Sequence, residues 1–222
     1  MTAHFVDLLD QLRRRALRMA SLVQDMLEEA CDAALSANAG LAERVIGRDN
    51  DVDAEEVEVE TEVIRLLALY QPVGSDLRTL CTVLKINNDL ERIADCAVNM
   101  AERASHLGSD YDPRELKDLQ HMSVIVQASL RTAIRAYADS DADVARDVRR
   151  GDDAIDATYG QIIRRIIHQV GDTPGRVASH LDILSIAKNL ERIADHATNI
   201  AEDVIYQCTG QIVRHREFGD GI

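Results

Sequence analysis

The sequence predicts an all-α protein built from two homologous three-helix bundles in tandem, and three observations carry that prediction. First, apolar residues recur three and four positions apart along most of the chain, and no stretch alternates at period two. Second, the 222 residues are 46% hydrophobic but only 3% aromatic, with three prolines. This composition is typical of long helices packed through small side chains. Third, one fifteen-residue segment occurs twice.

Turn signals divide the chain into six amphipathic stretches of about 25–35 residues. The strongest signal, residues 108–113, is rich in Gly, Asp and Pro and lies at the midpoint. We therefore expect a first three-helix repeat over residues 1–109 and a second over residues 110–222. The remaining breaks fall at residues 38–40, 71–74, 140–141 and 171–175.

The repeated segment identifies the third helix of each half. Residues 88–102 align without a gap on residues 188–202, and ten of the fifteen positions are identical, including an unbroken Leu-Glu-Arg-Ile-Ala-Asp run. The preceding helix of each half carries two aspartates four residues apart, Asp49 and Asp53 in one half and Asp152 and Asp156 in the other. Such internal identity predicts a duplicated helical unit.

Each repeated segment carries acidic and amide side chains along one helix face. At about 100° per residue, positions i, i+4, i+8 and i+11 lie within about 80° of one another. These positions form an acidic stripe in each repeat: Glu91, Asp95, Asn99 and Glu102, and then Glu191, Asp195, Asn199 and Glu202. A different side of each helix is apolar and is the predicted core face: Leu90, Ile93, Ala97 and Met100, and then Leu190, Ile193, Ala197 and Ile200.

The hairpin between the second and third helices should bring the acids of both helices to the same height. In an antiparallel helix pair, residues equally distant from the turn lie level. With the first turn centred near Gln71, Asp53 should be level with Glu91, and Asp49 with Asp95. The second turn, centred near residue 172, should place Asp156 level with Glu191 in the same way.

Carboxylates gathered at one height repel, at about 1 kcal/mol or more per close pair near a surface. Either the stripes are splayed into water, as a charged helix face usually is, or a cation holds them together. If a cation holds them, the expected ligands are first Glu91, Asp95, Asp49 and Asp53, and then Glu191, Asp195, Asp152 and Asp156. Asn99 and Asn199 would be either carbonyl ligands or hydrogen-bonding residues of the helix surface. Oxygen ligands suit magnesium, manganese, calcium or iron better than a structural zinc. The choice among iron, manganese, magnesium and zinc stays open.

The charge balance indicates which partners to expect. The chain has 25 Lys and Arg against 39 Asp and Glu, a formal net charge of −14. A field of this sign repels nucleic acid and anionic lipid, and it favours cations and basic protein surfaces. The longest uncharged stretch, residues 119–130, is too short to span a bilayer. We expect a cytoplasmic protein with no nucleic-acid binding, no membrane insertion, and four cysteines that are buried reduced thiols.

With these residues in view, the chain resembles the PhoU family of phosphate-uptake regulators over essentially its whole length. The runs at residues 90–95 and 190–195, each followed by Asn and Ala-Glu, match the E/D-x-x-x-D signature of that family. Residues 71–78 are similar to the start of the family's third helix. The tail, Ile205 and Tyr206 followed by residues 210–215, is similar to its C-terminal ending.

The resemblance implies two three-helix bundles with spectrin-repeat-like packing that bind metal clusters, often iron or another divalent ion, through the acidic motifs. It also implies a negative regulator of phosphate uptake and phosphate-starvation signalling. Such a regulator contacts subunits of the phosphate ABC transporter and a sensor histidine kinase. Whether the chain forms a homodimer stays open.

The second repeat departs from the first at several positions. Tyr159 and Ile163 stand where the first repeat has acidic residues, and this predicts a weaker metal site. Arg176 and Ala178 stand where the first repeat has Asp and Arg. His196 stands where the first repeat has Cys, and we interpret it as a local histidine rather than a ligand.

Two other function classes remain as alternatives. A carboxylate-bridged metalloenzyme would place His three residues after a metal-binding Glu, but Ala94 and Ala194 stand at that spacing. No nucleophile elbow, P-loop or H-E-x-x-H motif occurs either, so we expect no enzymatic activity. The other alternative is a metal-free helical scaffold whose acidic stripes are solvated.

Overall fold

The computed structural model describes residues 3–106, 113–172 and 174–214. Within those ranges the chain is helical and contains no β-strand. No helix in them is both long and apolar enough to cross a bilayer. The helices are α1 (Ala3–Ser36), α2 (Ala39–Gly47), α3 (Asp49–Tyr70), α4 (Gly74–His106), α5 (Pro113–Asp139), α6 (Ala142–Asp172) and α7 (Val177–Thr209), with a 3-10 turn at Pro174–Arg176 before α7.

The predicted second helix is two helices, because the chain bends between Gly47 and Asp49. Gly47 is a poor helix former, and the Arg48 N–H bonds to the Val45 carbonyl at 3.1 Å in place of a regular α-helical bond. The break makes Asp49 the first residue of α3. A carboxylate is favoured at this end because the helix dipole is positive there.

The predicted turns are confirmed wherever the structure describes them. The Asn38 side chain accepts a hydrogen bond from the Leu41 N–H at 3.2 Å and caps α2. Gln71 ends α3 in the left-handed conformation, and Asp141 caps α6 by accepting from the N–H groups of Asp143 and Val144. The predicted repeat boundary between residues 109 and 110 and the turn residue at 173 lie outside the described residues.

Each repeat buries the faces that the periodicity predicts. In the first repeat α1, α3 and α4 pack together with α2 against α4, and in the second repeat α5, α6 and α7 pack together. All eight predicted core residues of α4 and α7 have no exposed surface: Leu90, Ile93, Ala97, Met100, Leu190, Ile193, Ala197 and Ile200. Two helical bundles are thus confirmed, and in the first the predicted second helix is divided into α2 and α3.

The two repeats join mainly through α4 and α7, which share the most extensive helix interface. These helices are antiparallel, since residue numbers fall along α7 as they rise along α4. The Thr82 hydroxyl donates to the Asp203 carbonyl at 3.4 Å, and further along α4 the Asp89 carboxylate meets His196 at 2.8 Å. Two homologous helices packed antiparallel give the repeats an approximate twofold relationship.

The cysteines do not all share one environment. Cys31 and Cys96 are buried as predicted, and Cys81 is half-buried. The prediction is wrong for Cys208, which is exposed near the end of α7. Its thiol donates to the Ser140 carbonyl at 3.2 Å, so the last turn of α7 rests on the α5–α6 turn rather than in a core.

Candidate metal centres

In the first repeat, α3 and α4 bring four of the predicted ligands together. Burial raises the pKa of Glu91, and the nearby carboxylates of Asp95 and Asp53 raise it further. The pKa of Asp49 is likewise raised by burial first and then by Asp53 and Asp95. The acids that oppose each other across the hairpin are those predicted to be level, which supports the predicted alignment of the two helices.

Two further acids join this cluster beyond the predicted ligands. Glu102, at the end of the acidic stripe, is close enough to raise the pKa of Asp49. Glu56 on α3 is half-buried, and its pKa is raised by burial and then by Glu60 and Asp53. Glu56 lies seven residues after Asp49, and Glu102 lies eleven residues after Glu91. This helical spacing places both residues on the acidic faces and could have identified them from the sequence.

The first cluster has little positive charge to balance it. Arg92 lies 3.3 Å from Glu91 and 3.3 Å from Asp95. Among the described residues, Asp49, Asp53 and Glu102 have no ion-pair partner. The Asn99 amide nitrogen donates to its own helix at the Asp95 carbonyl, at 2.8 Å, so the Asn99 side-chain oxygen remains available as an acceptor.

The second repeat gathers its predicted acids on α6 and α7. Burial raises the pKa of Asp195 to about 6, with Glu191, Asp152 and Asp156 adding to the shift. The pKa of Asp152 is raised by burial and then by Asp156, while the Thr198 hydroxyl opposes the shift. A cavity of about 410 Å³ opens beside them, lined by Asp152, Asp195, Thr198, Asn199, Glu202 and Arg214.

Within the described ranges, the second cluster contains more cations than the first, which has Arg92 alone. Lys188 donates to Glu191 and lies 5.5 Å from the ring centroid of Tyr159. Arg149 lies 3.2 Å from Glu202, and Arg214 lies 3.7 Å from the same carboxylate. Because these cations already neutralise two of its acids, the second cluster has less need of a metal ion than the first.

Asn199 and His196 face the other repeat. The Asn199 amide nitrogen donates to Asp89 at 3.3 Å, and His196 Nδ1 contacts the same Asp89 oxygen at 2.8 Å. Asp89 is buried. Sequence reasoning did not identify Asp89, because its counterpart in the second repeat is Asn189 and the stripe spacing does not include it.

The donor chemistry of the first cluster fits a divalent or trivalent cation, since carboxylate and amide oxygens are ligands for such ions. The candidate ligands do not form a complete binding site, however. Within the described part of the chain, no three Asp, Glu, His or Cys side chains are grouped so as to hold a metal ion as they stand. The metal ligands therefore remain a prediction, based on donor type and on mutual repulsion.

Comparisons with known proteins agree with this architecture. A family model described as the PhoU domain matches residues 16–104 and again residues 119–204. The chain is 36% identical over 208 residues to the phosphate-specific transport system accessory protein PhoU homolog of Pseudomonas aeruginosa, covering 93% of this chain and 86% of that protein. The corresponding homolog of Aquifex aeolicus is also 36% identical over 208 residues, with 94% of each chain covered.

Two solved structures have the same fold. The crystal structure of PhoU from Pseudomonas aeruginosa matches with a TM-score of 0.91 at 35% identity, covering 93% of this chain and 100% of that chain. The phosphate transport system regulatory protein PhoU from Streptococcus pneumoniae matches with a TM-score of 0.87 at 27% identity, covering 94% and 99%. The two-repeat helical fold is confirmed by these matches.

Proposed function

Because the chain belongs to the PhoU family, we propose that it is a metal-binding, non-enzymatic negative regulator of phosphate uptake and of phosphate-starvation signalling. The supporting observation is 36% identity over nearly the whole chain to proteins named as accessory proteins of the phosphate-specific transport system. The pneumococcal neighbour is named a regulatory protein of phosphate transport. A role as an accessory protein is the part of the proposal that these names support directly.

The proposed mode of action is direct contact in the cytoplasm with subunits of the phosphate ABC transporter and with its sensor histidine kinase. A chain with a net charge of −14 complements basic surfaces, and such complementarity speeds association and selects partners. Binding to either partner should therefore weaken as ionic strength rises, because salt screens exposed charges. Binding that is insensitive to salt between low and physiological ionic strength would contradict an electrostatic contact.

The proposed metal site lies between α3 and α4, where Asp49, Asp53, Glu91 and Asp95 would hold the ion together with the Asn99 oxygen. A bound cation would supply positive charge that neutralises the cluster and ties α3 to α4. In the second repeat Asp152, Asp156, Glu191, Asp195 and Asn199 would bind more weakly because of the cations built into that cluster.

The metal proposal is tested with a matched pair of double variants. Glu91→Gln with Asp95→Asn removes two carboxylates from the first cluster and should reduce the metal that copurifies with the chain. Asp25→Asn with Glu43→Gln removes the same charges from exposed positions of α1 and α2 and should leave metal content unchanged. Elemental analysis of unchelated protein measures both. Equal metal content in the two variants would contradict the site.

The regulatory part of the proposal is tested in a host that lacks its own copy of the gene. In phosphate-rich medium the chain should lower uptake of labelled phosphate and silence a phosphate-starvation reporter. The Glu91→Gln, Asp95→Asn variant should restore less repression than the Asp25→Asn, Glu43→Gln control at equal protein level. Uptake and reporter output that do not respond to the chain would overturn the proposal.

A metal-free scaffold is the second candidate, favoured by the open ligand set in the described residues. The two candidates differ in their response to chelation. A bound ion stabilises the folded state by mass action, so chelator should lower the midpoint of thermal unfolding, and added manganese or magnesium should restore it. A melting temperature unchanged by chelator and by added ion would favour the scaffold.

A further inference from the structure

A second cavity, of about 610 Å³, lies in the groove between α4 and α7 and is lined by a cluster of positive charge. Its cationic side chains come from three segments of the chain: α4, α7 and the residues that follow α7. They are Lys85, Arg92, Arg192 and Arg214. Among the described residues, Asp89 is the one carboxylate in the lining. The chain has a net charge of −14, so this concentration of cations is opposite in sign to the charge of the protein as a whole.

Three of the four cations have carboxylate partners outside the lining of the cavity. Lys85 lies 2.9 Å from Asp203, and Arg214 lies 3.2 Å from the same residue. Arg92 contacts the acids of the first cluster, Glu91 and Asp95. These ion pairs restrict the side chains at the cavity, so the side chains would lose less conformational entropy when a ligand binds.

Arg192 is different, although it is the counterpart of Arg92 in the repeat. Among the described residues it has no ion-pair partner. A substitution between the repeats changes the carboxylate nearest to it. Lys188, which stands where the first repeat has Asn88, pairs with Glu191, the carboxylate that corresponds to the Arg92 partner Glu91. The exposed Arg192 guanidinium thus lines the cavity without an ion pair to a described carboxylate.

The carboxylate in the lining is already bound within the protein. One oxygen of Asp89 is contacted by His196 at 2.8 Å and by the Asn199 amide at 3.3 Å, and the side chain is buried. Asp89 therefore belongs to the wall of the cavity, and the groups that remain for a ligand are guanidinium, ammonium and amide donors. The Asn88 amide adds a neutral polar group to the lining.

We propose that this cavity binds a small multivalent oxyanion of the phosphate type. Guanidinium groups donate paired hydrogen bonds that match such oxyanions. Donors that arrive from three segments suit a tetrahedral anion better than a single flat carboxylate. The volume is within the range of small-ligand sites, about 300–1,000 Å³. An anion there would also relieve the repulsion between the Arg92 and Arg192 side chains, which line the same cavity.

The test is calorimetric titration of the full chain in chelator, at constant ionic strength, with inorganic phosphate and separately with pyrophosphate. Chelator keeps metal out of both acidic clusters, so the result does not depend on the proposed metal site. We expect one saturable site per chain. Saturation by inorganic phosphate assigns the site to the free ion, whereas saturation by pyrophosphate alone assigns it to a longer phosphate ester or anhydride.

Matched variants establish where the anion binds. Arg92→Gln with Arg192→Gln should weaken binding at least about tenfold, whereas Arg18→Gln with Arg135→Gln removes two exposed charges from α1 and α5 and should change it little. Asp89→Asn keeps an acceptor oxygen for His196 and Asn199 and removes a negative charge, so it should tighten binding. Absence of a saturable site for both anions, or equal weakening by the two arginine pairs, would overturn the proposal.

Discussion

Lys188 donates a hydrogen bond to Glu191 in the second repeat, at the place where the first repeat has an asparagine beside Glu91. The pairing raises the pKa of Lys188, with the hydrogen bond to Glu191 as the main cause. The ammonium therefore stays charged and occupies a carboxylate that would otherwise be free. One substitution thus gives the two acidic clusters different counterions.

Replacing Lys188 by Asn should make the second cluster a better metal site. The change removes the built-in ammonium and restores the residue of the first repeat, so manganese affinity in the second repeat should rise by about tenfold or more. Titration of chelated and then dialysed protein with Mn²⁺ measures the effect. Lys117→Asn, an exposed position on α5, is the control. Identical Mn²⁺ isotherms for the two variants would show that Lys188 does not compete with the ion.

Metal-free protein should lose stability as pH rises through the titration of Asp195. The folded state raises the pKa of this carboxyl from 3.8 to about 6, so between these values the folded state holds a proton that the unfolded state has released. The contribution of Asp195 to folding stability is therefore greatest below about pH 4 and declines until about pH 6. The Asp195 carboxyl is partly desolvated by its neighbours, but the residue as a whole is exposed, so we expect solvent screening to limit the effect to about 1 kcal/mol.

The Asp195→Asn variant isolates that contribution. Metal-free variant should be more stable than the parent above pH 6 and equal to it below pH 4, as measured by urea unfolding across the pH range. Asp25→Asn, on an exposed face of α1, should follow the parent at every pH. A stability difference for Asp195→Asn that does not change with pH would contradict this account.

Because the core is duplicated, truncation of equivalent core side chains in the two repeats should lower the unfolding free energy by similar amounts. Ile93 and Ile193 are counterparts with no exposed surface, so Ile93→Ala and Ile193→Ala should each cost about 2–4 kcal/mol in unfolding free energy. Ile167→Ala, at a side chain that is 69% exposed, should cost about 0.5 kcal/mol or less. Chemical denaturation followed by circular dichroism gives all three values. A large cost for only one of the two core changes would mean that the repeats do not share equivalent cores.

The reactivity of each cysteine should decrease as its burial increases. Burial raises the pKa of the Cys31 and Cys96 thiols to about 11, and both are shielded from solvent. Partial burial also raises the pKa of the Cys208 thiol. Because Cys208 is exposed, a disulfide reagent can reach its thiolate, and it should react first at pH 8. The Cys208→Ser variant should lose the fast phase of labelling and keep the slow one. Fast labelling that survives this change would have to come from another thiol, most simply the half-buried Cys81.

The sequence predicts the fold well where a feature depends on residues of a single helix or on direct comparison of two segments. Core faces follow from spacing within one helix, and residues 88–102 and 188–202 establish the duplication because they can be compared directly. The bend at Arg48 was not predicted, because Gly47 alone is tolerated in many helices and the alternative hydrogen bond depends on the following turn.

The candidate sites are less predictable because they depend on neighbours distant in sequence. The spacing predicts that Asp53 and Glu91 lie at the same height, and the effect of Asp53 on the pKa of Glu91 agrees with it. It does not indicate that Arg214 reaches Glu202 or that Asp89 meets His196. Both contacts require knowledge of how α4, α7 and the residues after α7 come together.

The antiparallel packing of α4 on α7 has a consequence for how this molecule can evolve. In a dimer of two identical three-helix chains, every substitution would appear on both sides of the axis at once. Fusion of the halves into one polypeptide removes that constraint while retaining the symmetric interface. One half can acquire a lysine or a histidine, and the other can keep its asparagine or cysteine at the corresponding position. Specialisation of the halves is therefore open to single mutations.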